Sequence, residues 1–201
     1  MAGGASFSPM FTRNLGYSLC MDRVRLLGIP IDPLTAADVL IRLKSFLSDG
    51  RQHHVMTPNS EMLVAASKDE LFRALLNRTD LNIPDSQGLL YAARWTGQYV
   101  PERVTGVDTV QAFCATLTKD VPVFLLGAAP GVAEAAAETL KRRNPGLNIA
   151  GTFAGSPTDE DASDILQRIT MSGAQVLFVA YGAPKQDMWI DKHLKELPSV
   201  K

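Results

Sequence analysis

The chain has 201 residues, with 20 Lys+Arg against 21 Asp+Glu and a net charge of −1 when histidine is neutral. With 46% hydrophobic and 20% charged residues it can bury one sizeable core, and the balanced charge excludes the basic footprint of a nucleic-acid binder. Two cysteines, Cys20 and Cys114, exclude a disulfide framework, and no apolar run is long enough to span a bilayer.

The first 20 residues contain Gly and Ser, a single charge at Arg13 and no continuous apolar stretch. They read as a disordered extension rather than a secretory signal, which points to a cytoplasmic chain with one domain over residues 21–201. Val24 to Ile31 reads as a first strand. Thr35 then caps a helix, with Asp38 as its capping-box partner and Val39, Leu40, Leu43, Phe46 and Leu47 on the buried face. His53 to Thr57 reads as a strand, followed by helical stretches to Asn77 and a short strand from Asp80 to Ile83. Helices are predicted over Gln87 to Thr96 and Asp108 to Lys119, the second carrying Cys114 as a buried small hydrophobe.

The second half alternates more cleanly. Strands are predicted at Val121 to Leu126, Leu147 to Thr152 and Gln175 to Tyr181. Helices follow at Gly131 to Arg143, after Thr158, and at Pro184 to Leu194. Strands about 25 to 30 residues apart, each followed by a helix, predict an α/β fold with a mostly parallel sheet. Ligands of such sheets sit beyond the carboxyl ends of the strands. This directs attention to Thr57-Pro58-Asn59, Pro84-Asp85-Ser86, the turn from Gly127 to Gly131, Gly151 to Gly155, and Gly182 to Gln186.

Each candidate has a plainer alternative. Gly127 to Gly131 could cradle a phosphate or serve as a helix-packing turn; it lacks the dinucleotide fingerprint, which disfavours a nicotinamide enzyme. Asp159 and Asp161 match a metal-holding Asp-x-Asp pattern, but Thr158 with Asp161 reads better as a capping box. His53, His54 and His193 have no ligand partners at metal spacing and read as structural or solvated. Asp85 at a strand end suits a general base that accepts a hydroxyl proton, or a helix cap. Arg103 suits a diphosphate clamp, or a salt bridge to Glu102 or another acid.

Several segments, taken in order, resemble the WecG/TagA/CpsF family of bacterial glycosyltransferases. They are Leu27-Gly28-Ile29-Pro30-Ile31-Asp32, Thr57-Pro58-Asn59-Ser60-Glu61, Asp80-Leu81-Asn82-Ile83-Pro84-Asp85, and Pro101 to Asp108. Phe124 to Ala128, Pro145-Gly146-Leu147, and Leu177 to Gln186 leading to Trp189-Ile190 complete the set. The resemblance runs from about Arg23 to Leu197 and implies a Rossmann-like sheet with helices on both faces. It implies inverting transfer of N-acetylmannosamine from its UDP donor to undecaprenyl-diphosphate-linked GlcNAc in teichoic-acid linkage-unit synthesis, without metal or cofactor. Alternatives are transfer of N-acetylmannosaminuronic acid for a related surface polysaccharide, or a catalytically incomplete sugar-nucleotide-binding module.

By position, the resemblance makes Asp85 the general base, puts Thr57 and Asn59 in the sugar pocket, and gives Arg103 the donor phosphates and Gln186 a donor contact. Gly127 and Gly182 complete the substrate-binding candidates as strand-end turns. Phe153-Ala154-Gly155-Ser156-Pro157 departs from the family's aromatic, histidine-containing loop. The resemblance also implies a further strand and a basic, membrane-facing segment beyond Lys201. The chain is then expected to be a core that works at the inner face of the cell membrane and self-associates.

Overall fold

Residues 22–201 are described by a computed structural model; the expected extension over residues 1–20 lies outside them. The stretch expected as one strand is a hairpin. β1 (Val24–Leu26) and β2 (Ile29–Ile31) pair antiparallel, with Val24 opposite Ile31 and Leu26 opposite Ile29. The turn is Leu27-Gly28, both at positive φ (49° and 78°), the backbone that two-residue hairpins need. Leu27 occupies a place where Asn or Asp is usual, so the pattern reads as unbroken apolar strand.

α1 (Ala36–Phe46) starts as its sequence predicts: the Thr35 hydroxyl accepts from the Asp38 N–H, and the Asp38 carboxylate accepts from the Thr35 N–H. β3 (Val55–Met56), α2 (Ser60–Ala66), α3 (Glu70–Arg78) and β4 (Leu81–Asn82) follow. β3 and β4 are parallel, with Met56 beside Asn82. α4 covers Gln87–Trp95 and α5 covers Gly106–Cys114. α5 begins two residues before the expected Asp108 because the Thr105 hydroxyl caps it, accepting from the Asp108 N–H at 3.0 Å. β5 (Val123–Gly127), α6 (Val132–Arg143), β6 (Ile149–Phe153), α7 (Asp159–Ser172), β7 (Val176–Ala180) and α8 (Lys185–His193) complete the chain, ending in a 3₁₀ turn at Leu194–Glu196.

The second half forms a parallel sheet in the order β6-β5-β7, while β3 and β4 form a parallel pair of their own. β5 shows how the layers form. Its side chains alternate, so Val123 and Leu125 join the core under α1, α5 and α6, and Phe124 and Leu126 join the core under α7 and α8. A third cluster packs the hairpin against α2, α3 and α4 around Phe72, Leu75 and Leu76. The result is an α/β, Rossmann-like architecture with helices on both faces of its parallel strands.

A buried amide joins the hairpin to this frame. Asn82 is fully buried; its Nδ2 donates to the carbonyls of Pro30 (2.9 Å) and Leu76 (2.7 Å), and its Oδ1 accepts from the Thr79 hydroxyl (3.0 Å). Asn82→Ala strands those partners and is expected to destabilise the fold by about 1–3 kcal/mol. Urea unfolding checks this; an unchanged midpoint would mean that water replaces the amide at no loss.

Candidate active site

Parallel register makes β3 and β4 leave the sheet side by side, and the backbone keeps their extensions together. Ile83 N–H donates to the Met56 carbonyl, Asp85 N–H to that of Pro58, and Val104 N–H to that of Pro84, at 2.8 to 3.0 Å. Asp85 thereby arrives beside the segment that starts α5, where the Gly106 N–H donates to its Oδ2 at 3.1 Å. A Cβ on Gly106 would lie 3.2 Å from the Thr57 hydroxyl and 3.5 Å from Asp85 Oδ2. Thr57, Asp85 and Gly106 therefore meet at one point, and the small size of Gly106 keeps it open. Sequence reading missed Gly106; the available signal was a glycine directly after a capping threonine.

Three helices begin around this point. Asn59 caps α2, its Oδ1 accepting from the Met62 N–H at 2.9 Å, so that oxygen is occupied. Ser86 precedes α4 without capping it, and its hydroxyl instead accepts from the Ser60 N–H and bonds the Ser60 hydroxyl at 3.0 Å. Thr105 caps α5. The converging N-termini bring partial positive charge and backbone N–H groups to Asp85, an arrangement suited to an anionic ligand. Arg103, next to Val104 in the segment that leads to α5, is exposed and makes no hydrogen bond or ion pair among the described residues. The alternative partner, Glu102, is turned away and accepts from the Ala36 N–H at 2.5 Å.

A second group forms at the ends of β5 and β7. Gly127 has φ +99°, and a Cβ there would lie 2.8 Å from the Ala180 carbonyl carbon. The next N–H, of Ala128, donates to the Ala180 carbonyl at 2.8 Å. Gly127 thus has the geometry of a close-packing turn, the plainer of its two readings. Past β7, Gln186 closes the loop before α8: its Oε1 accepts from the Gly182 N–H and its own N–H donates to the Gly182 carbonyl, both at 3.0 Å. The Gln186 side-chain NH₂ remains as a donor for a ligand.

Other candidates settle elsewhere. Thr158 makes no cap bond, so the expected box with Asp161 is not formed. Asp159 pairs with Lys192 of α8 at 2.5 Å, which holds its carboxyl below the usual range. His193 takes the structural alternative: it is buried against Trp189, with Nδ1 2.7 Å from Glu196. His53 stacks on Phe46 at 3.7 Å and faces Asp49. Cys114 is buried, which pushes its thiol up to about 11, away from reactivity; Cys20 lies outside the described residues. Burial pushes His54 down to about 4, and Asp187, which the sequence reading passed over, up to about 7.

The chain is similar in sequence to bacterial transferases. N-acetylglucosaminyldiphosphoundecaprenol N-acetyl-beta-D-mannosaminyltransferase of Staphylococcus aureus (strain NCTC 8325 / PS 47) is 25% identical over 182 residues, covering 89% of this chain and 70% of that protein. The same enzyme of strain MRSA252 is 25% identical over 181 residues, covering 88% and 70%. The family model for the glycosyl transferase WecG/TagA/CpsF family matches residues 24–201, a span that contains every strand and helix of the described residues and both groups of strand-end residues. The chain belongs to that glycosyltransferase family.

Proposed function

We propose that the chain transfers N-acetylmannosamine from a UDP donor to N-acetylglucosamine carried on a polyprenyl diphosphate, with inversion, in cell-wall polymer synthesis. The observation that carries this is the Asp85 carboxylate, anchored by the Gly106 N–H beside Thr57 at the meeting point of three helix N-termini. In a single displacement the acceptor hydroxyl oxygen bonds to the anomeric carbon of the donor sugar. The carbon–oxygen bond to the diphosphate breaks, its electron pair leaves on UDP, and the hydroxyl proton passes to Asp85. Arg103 and the helix N-termini oppose the charge that grows on departing UDP. Thr57, Asn59 and Gln186 contact the sugar and the donor.

The lipid acceptor would bring the chain to a membrane surface; among the described residues no helix is long and apolar enough to cross one. The test is product formation from UDP–N-acetylmannosamine and a polyprenyl-diphosphate-GlcNAc acceptor, with Asp85→Asn alongside. Turnover by the wild type that the variant loses supports the reading. Undiminished turnover by the variant overturns the base, and turnover only with another UDP-sugar overturns the donor.

A further inference from the structure

Two buried side chains outside both groups each carry a polar atom without a hydrogen-bond partner and face one another. His54 precedes β3, and Asp187 lies in the first turn of α8; they are 7% and 3% exposed, with His54 Nε2 3.9 Å from Asp187 Oδ1. Neither His54 Nε2 nor Asp187 Oδ2 has a hydrogen-bond partner, an unfavourable state for buried polar atoms. Their positions matter because His54 lies three residues before Thr57, and Asp187 directly follows Gln186.

The surroundings restrict where charge can sit. The His54 N–H donates to Asp80 Oδ2 at 2.9 Å, and neighbouring His53 turns to Asp49, with Nδ1 3.3 Å from Asp80 Oδ1. On α3, Arg78 is held by Asp191 of α8 through bonds of 3.1 and 2.5 Å. Asp191 and Asp80 favour a protonated His54 and Arg78 opposes it, but burial outweighs them and keeps the imidazole neutral above about pH 4. Burial likewise keeps Asp187 protonated up to about pH 7. A protonated carboxyl facing a neutral ring nitrogen is a donor facing an acceptor.

We propose that His54 and Asp187 share one buried proton, borne by the carboxyl and directed at Nε2, and that this contact clamps the strand leading to Thr57 and Asn59 onto the helix start bearing Gln186. Both are positioning residues. The clamp rests on the reading that Thr57 and Gln186 serve one donor site, and it supplies a link between the Asp85 group and the Gln186 group.

Proton counting makes this testable without an activity. Between about pH 4 and 6.5 the folded pair holds one proton, on Asp187, and the unfolded chain also holds one, on His54, so the pair adds almost no slope to stability. Because burial causes both shifts, each survives loss of the other partner. Asp187→Asn leaves His54, whose folded value is lowered, so relative to wild type stability rises with pH across that window. His54→Leu leaves Asp187, whose folded value is raised, so stability falls as pH rises from about 4 to 7. Each slope approaches tenfold in the unfolding constant per pH unit.

The clamp is read separately, by amide exchange of the Gly182–Gln186 loop. His54→Leu and Asp187→Leu are expected to speed exchange about tenfold, whereas Asp187→Asn, whose amide donates to Nε2, keeps the wild-type rate. Opposed pH slopes with that exchange pattern support the proposal. Slopes equal to wild type in both variants overturn the shared proton, and unchanged exchange in both Leu variants overturns the clamp. Failure of the wild type to bind UDP-sugar would sink the donor reading alone, because neither readout uses the donor.

Discussion

Asp85→Asn is expected to lower transfer about 10²–10⁴-fold while leaving the urea midpoint where it is. The two side chains have the same shape. The contact that fixes Asp85 is an N–H from Gly106 to one carboxylate oxygen, and the Asn carbonyl oxygen can accept that N–H equally well. What the amide cannot do is take a proton from the acceptor hydroxyl. The loss should appear in kcat with little change in donor KM, since the interaction removed belongs to the transition state. A fall in donor affinity equal to the fall in turnover would instead make Asp85 a binding residue, and an unchanged kcat would remove it from the chemistry.

Gly127→Ala is expected to destabilise the fold by about 2–6 kcal/mol, measurable as a lower urea midpoint at an unchanged m-value. Two effects add. At φ +99° an L side chain is strained, worth about 1–3 kcal/mol. The new Cβ would also stand 2.8 Å from backbone carbon of Ala180, which cannot swing away as a side-chain tip can, and overpacking of this kind costs about 1–3 kcal/mol. Relief requires β5 and β7 to part at the end where the Gln186 loop departs, so donor binding should weaken together with stability. Gly131→Ala is the control: its φ is +85° but nothing lies within 4 Å of a Cβ there, so only the strain applies. If the two variants lose the same stability, the close approach to Ala180 carries no weight.

Local features were legible to the extent that their causes were local. The Thr35–Asp38 box, the buried face Val39, Leu43 and Phe46, and the burial of Cys114 each depend on residues a turn apart, and the structure shows them as read. The hairpin was not legible, because Leu27 hides a turn inside an apolar run. The Thr158–Asp161 box was misread for the opposite reason: the right residues stand at the right spacing, yet the Thr158 side chain makes no cap bond.

By itself the sequence determined the α/β class, the order of elements beyond the hairpin and, through segments spread from Leu27 to Ile190, the family. Periodicity, caps and turn residues act within a few positions along the chain, so they survive translation into a string. The tertiary structure alone decided that Gly106 joins Thr57 and Asp85, that Glu102 turns to Ala36 while Arg103 stays exposed, and that His54 meets Asp187. Those contacts arise between segments distant in sequence, and their energies come from burial and approach, which no spacing rule encodes.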